Sequence, residues 1–550
     1  MNNDNKPNFL DRGTIIAIVV MMAFWFGWSK FMELKYPQPP AGQQTATQKA
    51  ATQGAGGDVG TPSSAGSVVA GSGQAASETT SVDSGSLSEE KTVDYDSENI
   101  AFHFSSRGMG LHDINVKKFQ TRTNGEILLG GVRGDYPFAT HLVGSDQALN
   151  FVIEHPEANL FVGHASADGF NIEKTMRIDP SNYAIDTTIH VTGDLERFKG
   201  LTTSLSEQVQ TPETTGFFGS SSREVQDWFL RHDGKKTRVA IQTKDAAESN
   251  VTIAALSTHY FTIAVSDKSD LLPRFESKVT AGAKTVTGRL YYQPISRVEA
   301  FNVHYIGFAG PKSFEVLARA DESLSQVVDY GMFGFLAQPI LWLLKWLYSI
   351  VGNWGVAVIL LTLIIRSIVM PFNAYSFKSM KAMQRIQPEM NRIRERYKDK
   401  PNDQKLQMNK EIMDLMKANK ASPLGGCLPT LLQLPPFFAL YQVLGQSIEL
   451  YRSPFIFWIH DLSARDPYFV LPVLMGATMF AQQRLTPTTM DPQQAKIMMW
   501  MPLIFSVFMV SLPSGLTLYI FVSTLFGITQ QYFFMRDKST VSSRVKEAKA

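Results

Sequence analysis

The segment WGVAVILLTLIIRSIVMPF, residues 354–372, has the apolarity and nearly the length of a membrane-crossing helix, which needs about 20 such residues. One full charge interrupts it, Arg366. A charge near the bilayer centre costs roughly 2.5–3.5 kcal/mol on insertion scales. At 1.5 Å per residue Arg366 lies roughly 18 Å from Trp354, past the middle of the hydrocarbon layer. Thr362 precedes it by four residues and so shares its helix face. The guanidinium could snorkel to the nearer interface. Ser367 to Phe372 add further apolar helix beyond it, however, which points to an intramembrane charge facing water or a substrate path.

Outward from this segment the chain is segmentally biased. Its net charge of +2 excludes little, because a polar half is averaged with a very apolar one. The single cysteine, Cys427, rules out an intrachain disulfide and sits in apolar sequence, where a thiol usually serves as a small buried hydrophobe. Residues 1–36 hold a cytoplasmic tip and the apolar run Thr14–Trp28. A signal peptide is the rival reading, but bulky, charged sequence follows instead of a small-residue cleavage site, so we expect an uncleaved anchor. Residues 37–90 are mostly Ala, Gly, Ser, Thr, Gln and Pro, with no aromatic between Tyr36 and Tyr95. Such a segment cannot bury enough surface to fold and reads as a tether.

From 91 to about 325 the period is two. YAIDTTIHV (183–191) sends Ile185, Ile189 and Val191 to one side and Asp186 and His190 to the other; AFNVHYIGF (300–308) repeats this with Phe301, Val303 and Tyr305. LNFVIEH (149–155) and HYFTIAV (259–265) look similar, and Gly193-Asp194, Asp233-Gly234 and Gly310-Pro311 read as turns. Many short strands with such punctuation predict a β-sandwich or barrel. Its acids and histidines show no metal-ligand spacing and no nucleophile motif, and scattered acids on alternating strands usually mark a solvated face.

The remainder predicts membrane helices. Residues 331–350, broken by Pro339 and Lys345 and rich in Trp and Tyr, suit an amphipathic helix on the outer surface, with a second full span as the alternative. Spans follow at about 354–373, 424–445, 468–484, 495–512 and 516–535. Between the first two, residues 373–422 carry twelve Lys/Arg against six Asp/Glu, which marks the cytoplasmic side. There Pro388 can open one short helix and Asp403 cap another, giving a helical hairpin over 376–422. Its links to the core, Asn373–Ser379 and Ser422–Gly426, contain turn formers and predict mobility. Residues 537–550 form a basic tail. With the anchor this makes six spans and two cytoplasmic termini. The span at 495–512 is short, about 27 Å, and calls for a locally thin bilayer. Methionines cluster at 475–509 and in the hairpin; Met suits adaptable apolar surfaces, though plain packing is the commoner use. The spans contain no acid pair, no phosphate-binding loop and no repeat symmetry, against a proton-coupled transporter.

The stretches VDYGMFGFLAQPILWLLKWLYSIVGNWGVAVILLTLIIR (328–366), SPLGGCLPTLLQLPPFFALYQVL (422–444), FWIHDLSARDPYFVLPVLMGATMF (457–480) and PSGLTLYI (513–520) resemble the YidC/Oxa/Alb family of membrane-protein insertases. The likeness is dense over 328–536, and the anchor, tether and large outer domain match the layout of the branch in double-membraned bacteria. The resemblance implies a periplasmic supersandwich related to galactose mutarotase, and five spans around a hydrophilic groove open to cytoplasm and lipid. It places the groove arginine on Arg366, its polar neighbour on Thr362 and the substrate-contacting tyrosine on Tyr519. Gln433 joins them by position, and Met475, Met479, Met498 and Phe505 are candidates for adaptable apolar contacts with a client. The implied role is insertion and chaperoning of nascent integral membrane proteins in the inner membrane. Implied partners are the Sec translocon with its accessory subunits, the ribosome through hairpin and tail, and membrane lipids. No cofactor, metal, covalent chemistry or specific nucleic-acid sequence is expected. A transporter or channel, and a tethered sugar-binding or epimerase domain, are the competing readings; a deep pocket with convergent His and carboxylate groups would favour the latter.

Overall fold

The computed structural model describes residues 90–536 apart from 131–135, 146, 210–225, 242–244, 279–283, 295–299, 399, 420, 422–427 and 487–491. The expected anchor, tether and basic tail lie outside the described residues, as does the Ser422–Gly426 link.

The outer domain is all antiparallel. Its largest sheet has nine strands in the order β12 (Lys235–Ala240), β11 (Asp227–His232), β14 (Val251–Ser257), β15 (Phe261–Asp267), β18 (Phe301–Pro311), β9 (Ala184–Gly193), β8 (Phe170–Asp179), β7 (Leu160–Ala167), β6 (Val152–Glu157). A five-stranded sheet runs β13 (Ala246–Glu248), β16 (Arg274–Ser277), β17 (Thr285–Tyr292), β10 (Leu201–Gln208), β5 (Thr140–Leu142). A third has β1 (Thr92–Asp96), β2 (Ile100–Ser105), β3 (Leu111–Gln120) and β4 (Glu126–Leu129) in sequence order. Ile185, Ile189 and Val191 of β9 and Phe301, Val303 and Tyr305 of β18 are all buried in one core, as the alternation requires. The β11–β12 turn falls at Asp233-Gly234, both with positive φ (47° and 73°), the backbone that a two-residue hairpin loop demands.

The expected turn at Gly310-Pro311 is absent. β18 runs on through Pro311, which sits opposite Phe261 at the strand's last position, where a missing N–H is tolerated. Gly310 is needed there for space: a Cβ would approach the Tyr183 ring to 2.9 Å.

One inward position of β8 holds a lysine. Lys174 is wholly buried, and its Nζ donates to the carbonyls of Gly108 and Met109 (3.1 Å each) and Phe138 (2.6 Å). Burial pulls its pKa well down, but three acceptors require three N–H donors, which only the ammonium has. The bonds fix a turn in which Gly108 and Met109 both have left-handed backbone.

A short helix, α1 (Phe314–Ala320), leads to the helical module: α2 (Gly334–Val351), α3 (Trp354–Arg396), α4 (Asn402–Ala418), α5 (Leu428–Gln446), α6 (Val470–Leu485), α7 (Pro492–Met509) and α8 (Ser514–Arg536). Gly334–Val351 and Trp354–Ala374 are long and apolar enough to cross a membrane. The helix α3 corrects the hairpin expected from sequence. It continues for 43 residues through Pro371 and Pro388, so Asn373–Ser379 is helical and no separate helix opens at Pro388. A proline inside a helix forfeits one backbone bond and bends the axis, and packing can offset that loss. Met383, Ile386 and Met390 of α3 meet Ile412 of α4 in a small core of their own.

The two modules are docked. Arg452, in the loop after α5, donates from Nη1 to Gln120 Oε1 (3.1 Å) and Thr121 O (2.8 Å) and from Nη2 to Asn124, all on the β3–β4 turn. Arg122 Nε reaches Asp461 Oδ2 at 3.3 Å, and His259 Nε2 donates to the Gly445 carbonyl at the end of α5. Lys345 of α2 bridges Glu315 of α1 (3.0 Å) and Glu449 (2.7 Å).

Candidate client groove

The helix that carries Arg366 starts at Asn353, whose side chain caps it by accepting from Val356 N at 3.0 Å. Further along, its contacts with α8 have one constant offset. Arg366 Nε donates to Ser523 Oγ at 2.6 Å, Asn373 Nδ2 donates to Gln530 Oε1 at 3.3 Å, and Phe377 stacks on Phe534 with ring centroids 5.5 Å apart. Each pair differs by 157 residues, so the helices run parallel and in register. The first two rungs are seven residues apart on each helix, the spacing of a left-handed helix pair. Polar groups here occupy positions that such a pair ordinarily fills with Leu or Ile. From the facing helix α5, Gln433 Nε2 donates to the Tyr519 hydroxyl.

Arg366 is half-buried, and among the described residues no carboxylate pairs with it. Its guanidinium therefore stands between helices with one neutral partner and donors to spare, which calls for water or a ligand. Thr362 is fully buried on the same helix, and its hydroxyl donates back to Val358 O at 2.6 Å. Tyr519 is buried beside Gln433. The apolar candidates separate. Met475 lies wholly inside the helical core, Met479 and Phe505 pack half-buried against that core, and Met498 is exposed. Sequence reading missed Ser523, Asn373 and Gln530. Their signal was heptad spacing, visible only once α3 and α8 are known to run in parallel.

In the outer domain the His–carboxylate pairs His304–Asp186 (2.8 Å) and His103–Asp94 (2.6 Å) lie on exposed strand faces. Among the described residues no cluster of three or more His, Cys, Asp or Glu could hold a metal ion.

Residues 346–541 match the family described as 60Kd inner membrane protein, and residues 154–343 match that described as YidC periplasmic domain. Over 556 residues the chain is 32% identical to the membrane protein insertase YidC of Oleidesulfovibrio alaskensis, covering 96% of this chain and 99% of that one. The chain belongs to the YidC family of membrane protein insertases. The YidC of Alkalilimnicola ehrlichii is 38% identical over 390 residues (68% of this chain, 67% of that one), and that of Wolinella succinogenes is 51% identical over 228 residues (41% and 42%). A solved structure described as an active YidC insertase with its first transmembrane domain resolved aligns over 81% of this chain and 93% of that one, with a TM-score of 0.38 and 19% identity. A galactose mutarotase-like protein from Lactobacillus casei aligns over 40% of this chain and 100% of its own, with a TM-score of 0.29 and 11% identity.

Proposed function

We propose that this insertase works through the polar seam of α3, α5 and α8, without cofactor or covalent chemistry. The observation that carries the reading is Arg366, an arginine within an apolar helix that has a single neutral hydroxyl partner among the described residues. Its spare donors hold water inside the bilayer. A nascent segment entering from the cytoplasm then sheds its hydration in stages before it slides sideways into lipid. Thr362, Gln433 and Tyr519 line that path, and Met479, Met498 and Phe505 meet the client's apolar side chains.

In this reading the outer part of α3 crosses the inner membrane with α5, α6, α7 and α8. An uncleaved N-terminal anchor makes the sixth span and leaves both termini in the cytoplasm. The helix α2 lies along the outer surface, held to the periplasmic domain by Lys345. That domain takes a mutarotase-like supersandwich form and keeps no mutarotase chemistry. The basic hairpin and tail meet the ribosome, and the Sec translocon is a partner for larger clients. A proton-coupled transporter is disfavoured because the sequences of α3 up to Phe372 and of α5 to α8 contain no Asp or Glu.

Photo-crosslinkers at Gln433 and Tyr519, with stalled nascent membrane proteins as clients, test the reading. Both positions should capture the client while the exposed Ile368 captures lipid. Capture from Ile368 alone would overturn it.

A further inference from the structure

Asn373 and Gln530 are buried, at 3% and 5% exposure, between α3 and α8. One hydrogen bond joins them, at the long end of the range (3.3 Å). Two primary amides can close a ring of two such bonds. This pair has not done so, and Asn373 Oδ1 and Gln530 Nε2 have no partner among the described residues. Buried polar groups in native proteins are almost always satisfied, so idle ones ask for an account.

The idle atoms are one acceptor and one donor. That is the complement of a peptide group, which brings one N–H and one C=O. In hydrocarbon every such backbone group needs a partner, and a segment not yet helical cannot supply its own. The pair is also well placed. Asn373 lies about 10 Å along α3 from Arg366, on the inner side, and the Phe377–Phe534 stack lies one turn further inward. Beyond Arg366, Gln433 Oε1 is a third buried amide atom without a partner.

Resting on the groove reading, we propose that Asn373 and Gln530 form an inner binding station for the backbone of the client, one heptad inward of Arg366. When the inner ends of α3 and α8 part, the Asn373 carbonyl takes a client N–H and the Gln530 amide a client C=O. The station recognises extended polypeptide whatever its sequence, and hands the segment outward to Arg366 and Gln433.

The test uses the full-length protein in membranes with clients stalled at increasing lengths. Photo-crosslinkers at Gln530 and at Tyr519 should both capture the client, Gln530 at shorter lengths. Capture at Tyr519 but at no length from Gln530 overturns the inner station and leaves the groove standing; capture at neither overturns both. A paired Asn373→Leu/Gln530→Leu variant should accumulate normally and insert clients about tenfold more slowly, and the exchanged pair Asn373→Gln/Gln530→Asn should recover most of the rate. Wild-type insertion by the Leu pair would reduce the two amides to a register lock between helices and overturn the proposal.

Discussion

Replacing Arg366 separates charge from hydrogen bonding. In Arg366→Ala the protein loses the bond to Ser523 Oγ, worth about 1.5–3 kcal/mol for a charged donor. It also escapes the desolvation of a guanidinium, a penalty of several kcal/mol in a real protein. The two nearly cancel, so accumulation and thermal stability should change little. Insertion should not be spared. An acidic client group about 6 Å from the guanidinium gains roughly 2.8 kcal/mol at an effective dielectric of about 20. Water in the groove reduces that, so the expected loss is about tenfold for clients with acidic tails and little for neutral ones. Arg366→Lys keeps the charge but not the planar fork and should retain most activity; Arg366→Glu should be worse than Ala. The assay is the initial rate of insertion into proteoliposomes at matched protein level, for clients that differ only in tail charge. Ser523→Ala is the control, since it removes the partner and keeps the charge. If Ser523→Ala and Arg366→Lys were both as defective as Arg366→Ala, a fixed bond rather than charge would be the working element.

His259 ties the outer domain to α5, and burial with Lys312 nearby lowers its pKa to about 4. The unfolded imidazole titrates near 6.5, so the stability that depends on keeping this buried imidazole neutral, at most about 3 kcal/mol, is complete above pH 6.5 and lost as pH falls toward 4, because burial and not the bond to Gly445 opposes protonation. The protection of amides near Gly445, corrected for the intrinsic exchange rate at each pH, should therefore be lower at pH 5 than at pH 7.5, and His259→Gln should remove the difference. Glu207 behaves oppositely: burial raises it to about 7 although it accepts from Gly130 N and Gln208 N. Its contribution is complete below about pH 4.5 and is lost as pH rises through 7, so Glu207→Gln should flatten the fall in melting temperature over that interval; an unchanged slope would show that Glu207 does not set it. Lys174→Met should destabilise the outer domain by about 2 kcal/mol, because up to three carbonyls lose a donor; a raised unfolding midpoint in urea would mean that relief of the buried charge dominates.

The parts legible in the sequence are those fixed by period. In β9 every second residue faces the core, and the apolar ones could be named from spacing alone because a strand has only two sides. Arg366 was legible for a related reason, since a charge inside an apolar run is costly wherever the run is placed. Punctuation was less reliable. Gly310-Pro311 and Pro388 both read as breaks, and both lie inside or at the end of a continuing element. Turn formers report what a backbone permits locally, whereas Pro311 at a strand terminus and Pro388 within a packed helix are decided by what lies against them. The site's partners were least legible, because Ser523 and Gln530 lie 157 residues from the groups they meet. No local signal fixes that offset. The seam does leave a trace in composition, however. Ser523 and Gln530 are seven residues apart in α8, as Arg366 and Asn373 are in α3, and an ordinary helix pair would gain stability from apolar side chains at all four positions. Inside a bilayer, where apolar packing has no hydrophobic advantage over lipid, polar side chains hydrogen-bond across helices. The Arg366–Ser523 and Asn373–Gln530 rungs thus join α3 to α8, and in the proposed reading an entering client exchanges its own polar groups for these bonds.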